Sequence, residues 1–339
     1  MGRNLQDLFI FIGTRMLELL PVLFGVIILT FLVTHVAAID PCPRWYPKAS
    51  QAVLAHCRAQ FAAPLWVQFW NYFSALLGGN WGSSQLGVPV LPVIATAVPA
   101  TLELVLASTF LMVVVGIPLG VIAAQFSGRW ADHLVRVLYL SGWSVPTYVG
   151  SVIAAVFLAP VLGLPTSGTF SAPPPFPQYT HMSVIDAIIA LNFPYTVDAI
   201  SHLVLPAGVL AFINMGIATR MTRASMLEVL PLDYVKSARM KGLSNFIVLY
   251  KHALRNALIA TVTVLGLTVG GLLAGTVVIE EVFAWPGIGA YAFAALGGGG
   301  QPNFDGAIAV TIVFAIGVVI ANLVSDILYG VLDPRVEWR

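Results

Sequence analysis

The chain has 339 residues, 58% of them hydrophobic and only 9% charged, with a mean hydropathy of +0.90. Soluble domains carry about a quarter of their residues as Asp, Glu, Lys or Arg. The composition therefore excludes a soluble enzyme, a disordered chain and a nucleic-acid binder with a basic surface. The formal net charge of +1 is uninformative, but the placement of the 16 basic residues is not.

A helix crossing about 30 Å of hydrocarbon needs roughly 20 apolar residues. In chain order the stretches that meet this are 19–39, 104–128, 137–162, 199–219, 256–279 and 306–325. The reading is an all-α polytopic membrane protein with six transmembrane helices, and the continuous apolar runs exclude an outer-membrane barrel. Ahead of the first span, residues 4–17 read either as an interfacial helix or as a continuation of that span. Asp7, Glu18 and the lack of an A-x-A-like site argue against a cleavable signal peptide.

Orientation follows from the cations. Thirteen of the sixteen fall in the segments joined on one side, and only Arg44, Lys48 and Arg58 on the other. By the positive-inside rule both termini are cytoplasmic.

The outer segment 40–99 contains both cysteines. A Cys42–Cys57 disulfide in an oxidising compartment would stabilise it by about 3 kcal/mol; two free buried thiols are the alternative. Residues 59–102 carry no charge, and Trp66, Trp70, Tyr72 and Trp81 fit an amphipathic helix at headgroup level. The second outer loop, 163–202, contains SAPPPFPQ, which is not helical and reads as an ordered cap or as disorder.

Marks of membrane enzymes are missing. There is no G-x-S-x-G around a serine, no H-E-x-x-H and no P-loop, and the six histidines are scattered without metal spacing. Glu103, Glu280, Glu281 and Asp326 lie near span ends, not at mid-membrane ion-coupling positions. Gly266, Gly270, Gly271 and Gly275 read as a close-packing stripe on span five.

The informative segment is cytoplasmic, 230–258. Asp233 is placed to cap a short helix whose face carries Val235, Ala238 and Arg239, and Gly242 stands at the left-handed position that ends it. Ser244 caps the next helix, with Leu243 and Val248 as its hydrophobic staple, and Lys251, His252 and Arg255 lead into span five. Small Ala238 and Gly242 suit close approach by another protein; a basic helix touching lipid phosphates fits equally well.

KSARMKGLSNFIVLYKHALRNAL resembles the "EAA" loop of ABC importer permeases of the dipeptide/oligopeptide/nickel branch. RMLELLPVLFGVIILTF at 15–31, PATLEL at 99–104, GIPLGV at 116–121, RMTRASMLEVL at 220–230, EEVFAWPGIG at 280–289 and LYGVLDPR at 328–335 resemble the same branch. Two departures are Ala260, where a proline is common, and ALGGGGQPNFDG before the last span, where the branch usually carries a charged segment.

The resemblance implies a type I importer fold. Residues 1–98 hold the first helix and outer loop, 99–332 the five-helix core, and 333–339 a cytoplasmic tail. It implies a prokaryotic cell-membrane location and a second homologous permease subunit. It also implies two cytoplasmic ATPase subunits that bind ATP and Mg, and an extracellular substrate-binding protein. This chain itself would need no cofactor, metal or nucleic acid. The ATPase-coupling residues would be Asp233, Tyr234, Ala238, Arg239, Gly242, Leu243, His252 and Asn256. Trp285, Pro286, Gly287, Gly298 and Gly299 would belong to an extracellular gate or finger. Peptides are the expected cargo, with oligosaccharides or nickel as alternatives and a stand-alone channel or secondary carrier as the competing class.

Overall fold

The computed structural model describes residues 5–36, 42, 50–83, 87–298 and 303–332, nearly all of them helical. Among the described residues there is no strand, only an isolated bridge between Ser83 and Pro89. Helix α1 (Leu5–Val36) is continuous, so the segment from Leu5 onward extends the first span. Helices α2 (Gln51–Phe61) and α3 (Leu65–Leu77) form the outer segment. The uncharged α3 lies on α1 edge-to-face, Phe24 against Phe69 and Phe73 at 5.8 Å, while Trp66 and Trp70 face outward.

Helix α4 (Val90–Gln125) starts at Val90, well before the expected Leu104. Glu103 does not end the apolar run because its charge is satisfied inside the fold. It accepts hydrogen bonds from the Ser183 amide (2.8 Å), the Ser183 hydroxyl (2.9 Å) and the Val184 amide (2.8 Å). Those amides open α7 (Ser183–Ile189).

The third span differs from its expected form. Residues 137–162 do not make one helix: α5 (Trp130–Ser144) and α6 (Thr147–Leu162) meet at 106°. Pro146 is the cause. It lacks an N–H and forces the preceding residue out of helical space, and Val145 accordingly sits at φ −85°, ψ 122°. A π-helical turn at Ala154–Leu158 then precedes Pro160, another position without an amide donor.

The outer loop 163–182 is an ordered cap. Asp198 accepts from the Ser171 amide (2.8 Å) and hydroxyl (2.6 Å), and Phe170, Phe176 and Tyr195 form an edge-to-face trio. The remaining helices are α8 (Phe193–Val229), α9 (Asp233–Met240), α10 (Leu254–Val282), α11 (Ile288–Ala295) and α12 (Phe304–Leu332). Four of the apolar helices are long enough to cross a membrane, and the bent α5–α6 pair makes a fifth candidate. In α1 the strongly apolar stretch is the shorter Met16–Leu32.

The main core forms where α4, α8 and α10 meet, with Leu104, Met112, Leu210, Ile279 and Trp285 fully buried. Small residues set the spacing, because lipid tails supply no hydrophobic drive to hold helices together. Gly120 on α4 lies against Thr222 of α8, and Gly266 on α10 against Ser325 of α12. The α10 glycines do not share one face as the stripe suggested: Gly266 and Gly270 meet α12, Gly275 approaches Leu210 of α8, and Gly271 has open space.

Gly266→Leu is therefore expected to lower stability by about 1–3 kcal/mol through overpacking. Gly271→Leu should be near neutral, and thermal unfolding of the two variants in detergent separates them.

Candidate functional site

The element expected to be cytoplasmic, 230–258, is built in two tiers. Its base is apolar and closed. Val235 and Ala238 of α9 are buried on Val248, Leu249 and Ala253 of a π-helical turn at Ile247–Ala253, and this cluster rests on Val121 and Ala124 of α4 and Met226 of α8. Ala238 thus faces inward, which corrects the expectation that its small size serves an approaching protein. It is small because the π-turn lies against it. Asp233 is also not a cap. Leu232 occupies that position, and Asp233, in the first turn, pairs with Lys236 at 3.0 Å across exposed surface, a contact worth at most about 1 kcal/mol.

The turn between the tiers matches its sequence. Gly242 takes φ +74° with no atom within 4 Å of where a Cβ would sit, so the left-handed backbone, not crowding, requires glycine there. The Ser244 hydroxyl accepts from the Ile247 amide at 3.4 Å, and Val248 is buried behind it. Asn256 donates from Nδ2 to the Tyr234 hydroxyl at 2.7 Å, bracing α9 against the start of α10.

The upper tier is exposed and apolar. Met240 is 80% exposed and Phe246 69%, and Tyr234, Leu243 and Ile247 of the same segment are exposed as well. Phe246 stacks on Tyr250, centroids 4.6 Å apart, which fixes its ring without covering it. Arg239, Lys241 and Lys251 of the same segment are exposed, and His252 is half-buried. The sequence patterns pointed to the turn; they did not reveal Met240 and Phe246 as an outward apolar pair, since exposure depends on which helix face the π-turn occupies.

Asp132 was also missed. It is completely buried and accepts from Arg223 Nε (2.8 Å) and Nη2 (2.9 Å), from Arg136 Nη2 (2.6 Å) and from the Gly128 amide (2.9 Å). These bonds join α5 to α8 near the apolar cluster under α9, Arg223 lying one turn before Met226. The i, i+4 spacing of Asp132 and Arg136 was the available signal; Arg223 lies 91 residues away in sequence. Arg220 adds a cation–π contact over Trp143 at 5.2 Å.

At the opposite end, Trp285 and Gly287, expected at a gate or finger, lie in the core. The Trp285 indole donates to the Ala100 carbonyl at 2.8 Å. The Thr101 hydroxyl donates to Glu280 at 2.7 Å and accepts from the Ile288 amide at 2.8 Å. Glu280 further accepts from the Ala290 amide at 2.9 Å, and a Cβ on Gly287 would collide with its carboxylate. Pro286 and Gly298 are exposed, and Gly299 lies outside the described residues. Cys42 is buried and disulfide-bonded, while the Cys57 side chain lies outside the described residues.

Asp132→Ala should remove the carboxylate that holds two partly exposed guanidinium groups at the α5–α8 junction and cost about 1–3 kcal/mol. Arg136→Ala, removing a more exposed partner, should cost clearly less in the same thermal-unfolding assay.

Comparison with known proteins agrees with this architecture. Residues 116–338 match the family described as binding-protein-dependent transport system inner membrane component. The probable D,D-dipeptide transport system permease protein DdpB of Escherichia coli K12 is 38% identical over 322 residues, covering 93% of this chain and 94% of that protein. The oligopeptide transport system permease protein AppB of Bacillus subtilis 168 is 34% identical, covering 97% of this chain and 99% of the relative. In fold, the chain resembles an inward-facing structure of the MetNI methionine ABC transporter, with a TM-score of 0.53 at 19% identity, covering 71% of this chain and 96% of that one. From its sequence and its matched core, the chain belongs to the family of binding-protein-dependent transport system inner membrane components.

Proposed function

We propose that this chain is the permease subunit of an ATP-driven importer of peptides, forming half of a translocation path with a second, similar permease. The observation that carries the proposal is the two-tier cytoplasmic element, a buried base under an exposed apolar tip of Met240, Leu243 and Phe246. An exposed cluster of this kind on a membrane protein's soluble face marks a protein contact. Here its partner is an ATPase subunit, which binds ATP and Mg and moves the element. The dipeptide and oligopeptide permeases among the relatives support peptides as cargo, and an extracellular binding protein would deliver them. Six spans follow if α1, the bent α5–α6 pair, α4, α8, α10 and α12 all cross the membrane. The cation distribution then places both termini in the cytoplasm of a prokaryotic cell.

Closing the ATPase pair would push the tip, and the rigid base would pass that displacement to α4 and α8. Phe246→Ala together with Met240→Asp removes the apolar tip while sparing the buried base. Transport of a labelled dipeptide by the assembled complex is expected to fall at least tenfold, and the ATPase subunits should co-purify poorly. Wild-type uptake and ATPase recovery would refute the docking surface.

We also propose that Cys42 pairs with Cys57. Non-reducing mass spectrometry should find the two peptides linked, and alkylation of both thiols without reductant would refute the pairing.

A further inference from the structure

One polar cavity lies away from both the cytoplasmic element and the helix core. It occupies about 460 Å³ between α3, the turn that follows it and the first turn of α12, and Tyr72, Asn80, Trp81 and Asp305 give it its chemistry. The turn is shaped around the carboxylate. Gly82 takes φ +83°, and a Cβ there would collide with Asp305. The Ser83 amide donates to Asp305 Oδ2 at 3.1 Å. Among the described residues no Lys, Arg or His pairs with Asp305.

The cavity therefore presents the Asp305 carboxylate, with Tyr72 and Trp81 as aromatic and Leu76 and Ile308 as aliphatic lining, while the Asn80 side-chain oxygen already accepts from the Gly82 amide at 3.1 Å. A bare divalent cation is poorly matched, since calcium takes 6–8 oxygen ligands and magnesium holds its waters. An organic ammonium is well matched. Its charge meets the carboxylate, its N–H groups find oxygen acceptors, and its carbon stem lies against aromatic faces.

We propose that this cavity is a binding site for a primary ammonium group. Two sources carry that group to this place. One is the headgroup of an aminophospholipid: α3 beside the cavity has no charged residue and exposes Trp66 and Trp70, as at a bilayer interface. The other is the free amino terminus of a peptide. The lipid source does not depend on what the transporter carries, whereas the peptide source rests on the peptide cargo proposed above; the test does not depend on which leaflet the site faces.

The test uses the full-length protein with the subunits that accompany it from the membrane, in nanodiscs of phosphatidylethanolamine or phosphatidylcholine. The methylated headgroup of the second lipid donates no hydrogen bond. After mild delipidation, native mass spectrometry counts retained lipid; in parallel, alanyl-alanine and its N-acetylated form are titrated in phosphatidylcholine discs. Asp305→Asn removes the charge while leaving an acceptor for the Ser83 amide. Trp81→Leu removes one aromatic wall without touching that bond.

At least fivefold preferential retention of phosphatidylethanolamine, lost in both variants, supports the site with a lipid headgroup in it. Saturable binding of alanyl-alanine, abolished by N-acetylation and by both variants, supports the site with a peptide amino terminus in it. Equal retention of the two lipids together with no amine-dependent peptide binding overturns the proposal, as does an Asp305→Asn protein that matches wild type in both assays.

Discussion

A helix that begins inside a protein or a bilayer leaves its first amides without intrahelical partners, and where water is scarce those amides must be answered by the protein. This chain answers them with carboxylates sent from neighbouring helices. Glu103 of α4 receives the opening amides of α7, and Glu280 of α10 receives an amide of α11. Neither carboxylate relies on a lysine or arginine. Each offsets the helix-terminal partial charge instead, so two short helices are welded to two long ones without spending any of the few cations. The outer half of the fold depends on these bonds, because through them the cap and the Trp285 turn are fixed against α4.

The cytoplasmic half uses the opposite chemistry. Buried Asp132 pairs with two partly exposed arginines and ties α5 to α8. Removing one partner of such a cluster costs far more than the intact cluster contributes, because an uncompensated charge remains. The ion cluster thus joins α5 to α8, and α8 in turn shares with α4 the apolar cluster on which α9 and the π-turn pack. The element is held by packing from below and by the Tyr234–Asn256 hydrogen bond from the side.

Much of this was legible in the residues. The long apolar runs located α10 and α12 and the middle of α8, which runs well beyond its expected 199–219 at both ends, and the glycine at 242 and serine at 244 marked the turn after α9. What escaped had identifiable physical causes. The α5–α6 break escaped because hydropathy averages over Pro146, whose effect is on backbone geometry. The start of α4 escaped because a buried glutamate with amide donors looks, in sequence, like the end of a span. Trp285 was assigned to an extracellular gate or finger on the family resemblance alone; only the distant Ala100 carbonyl reveals it as an anchor. Ala238 was placed on the wrong side of its helix because one face of an eight-residue segment cannot be assigned before its neighbour's π-turn is known.

The stacked Phe246–Tyr250 pair on its closed base has a thermodynamic consequence. A docking surface that is already ordered gives up little conformational entropy when a partner arrives. Most of the contact energy then remains available to bias one global conformation over another, instead of being absorbed in local ordering. A floppy tip of the same composition would bind and follow its partner without moving the helices beneath it. If this segment is the docking surface proposed above, stiffness at this position would let an event at the protein's soluble edge become mechanical work across the membrane.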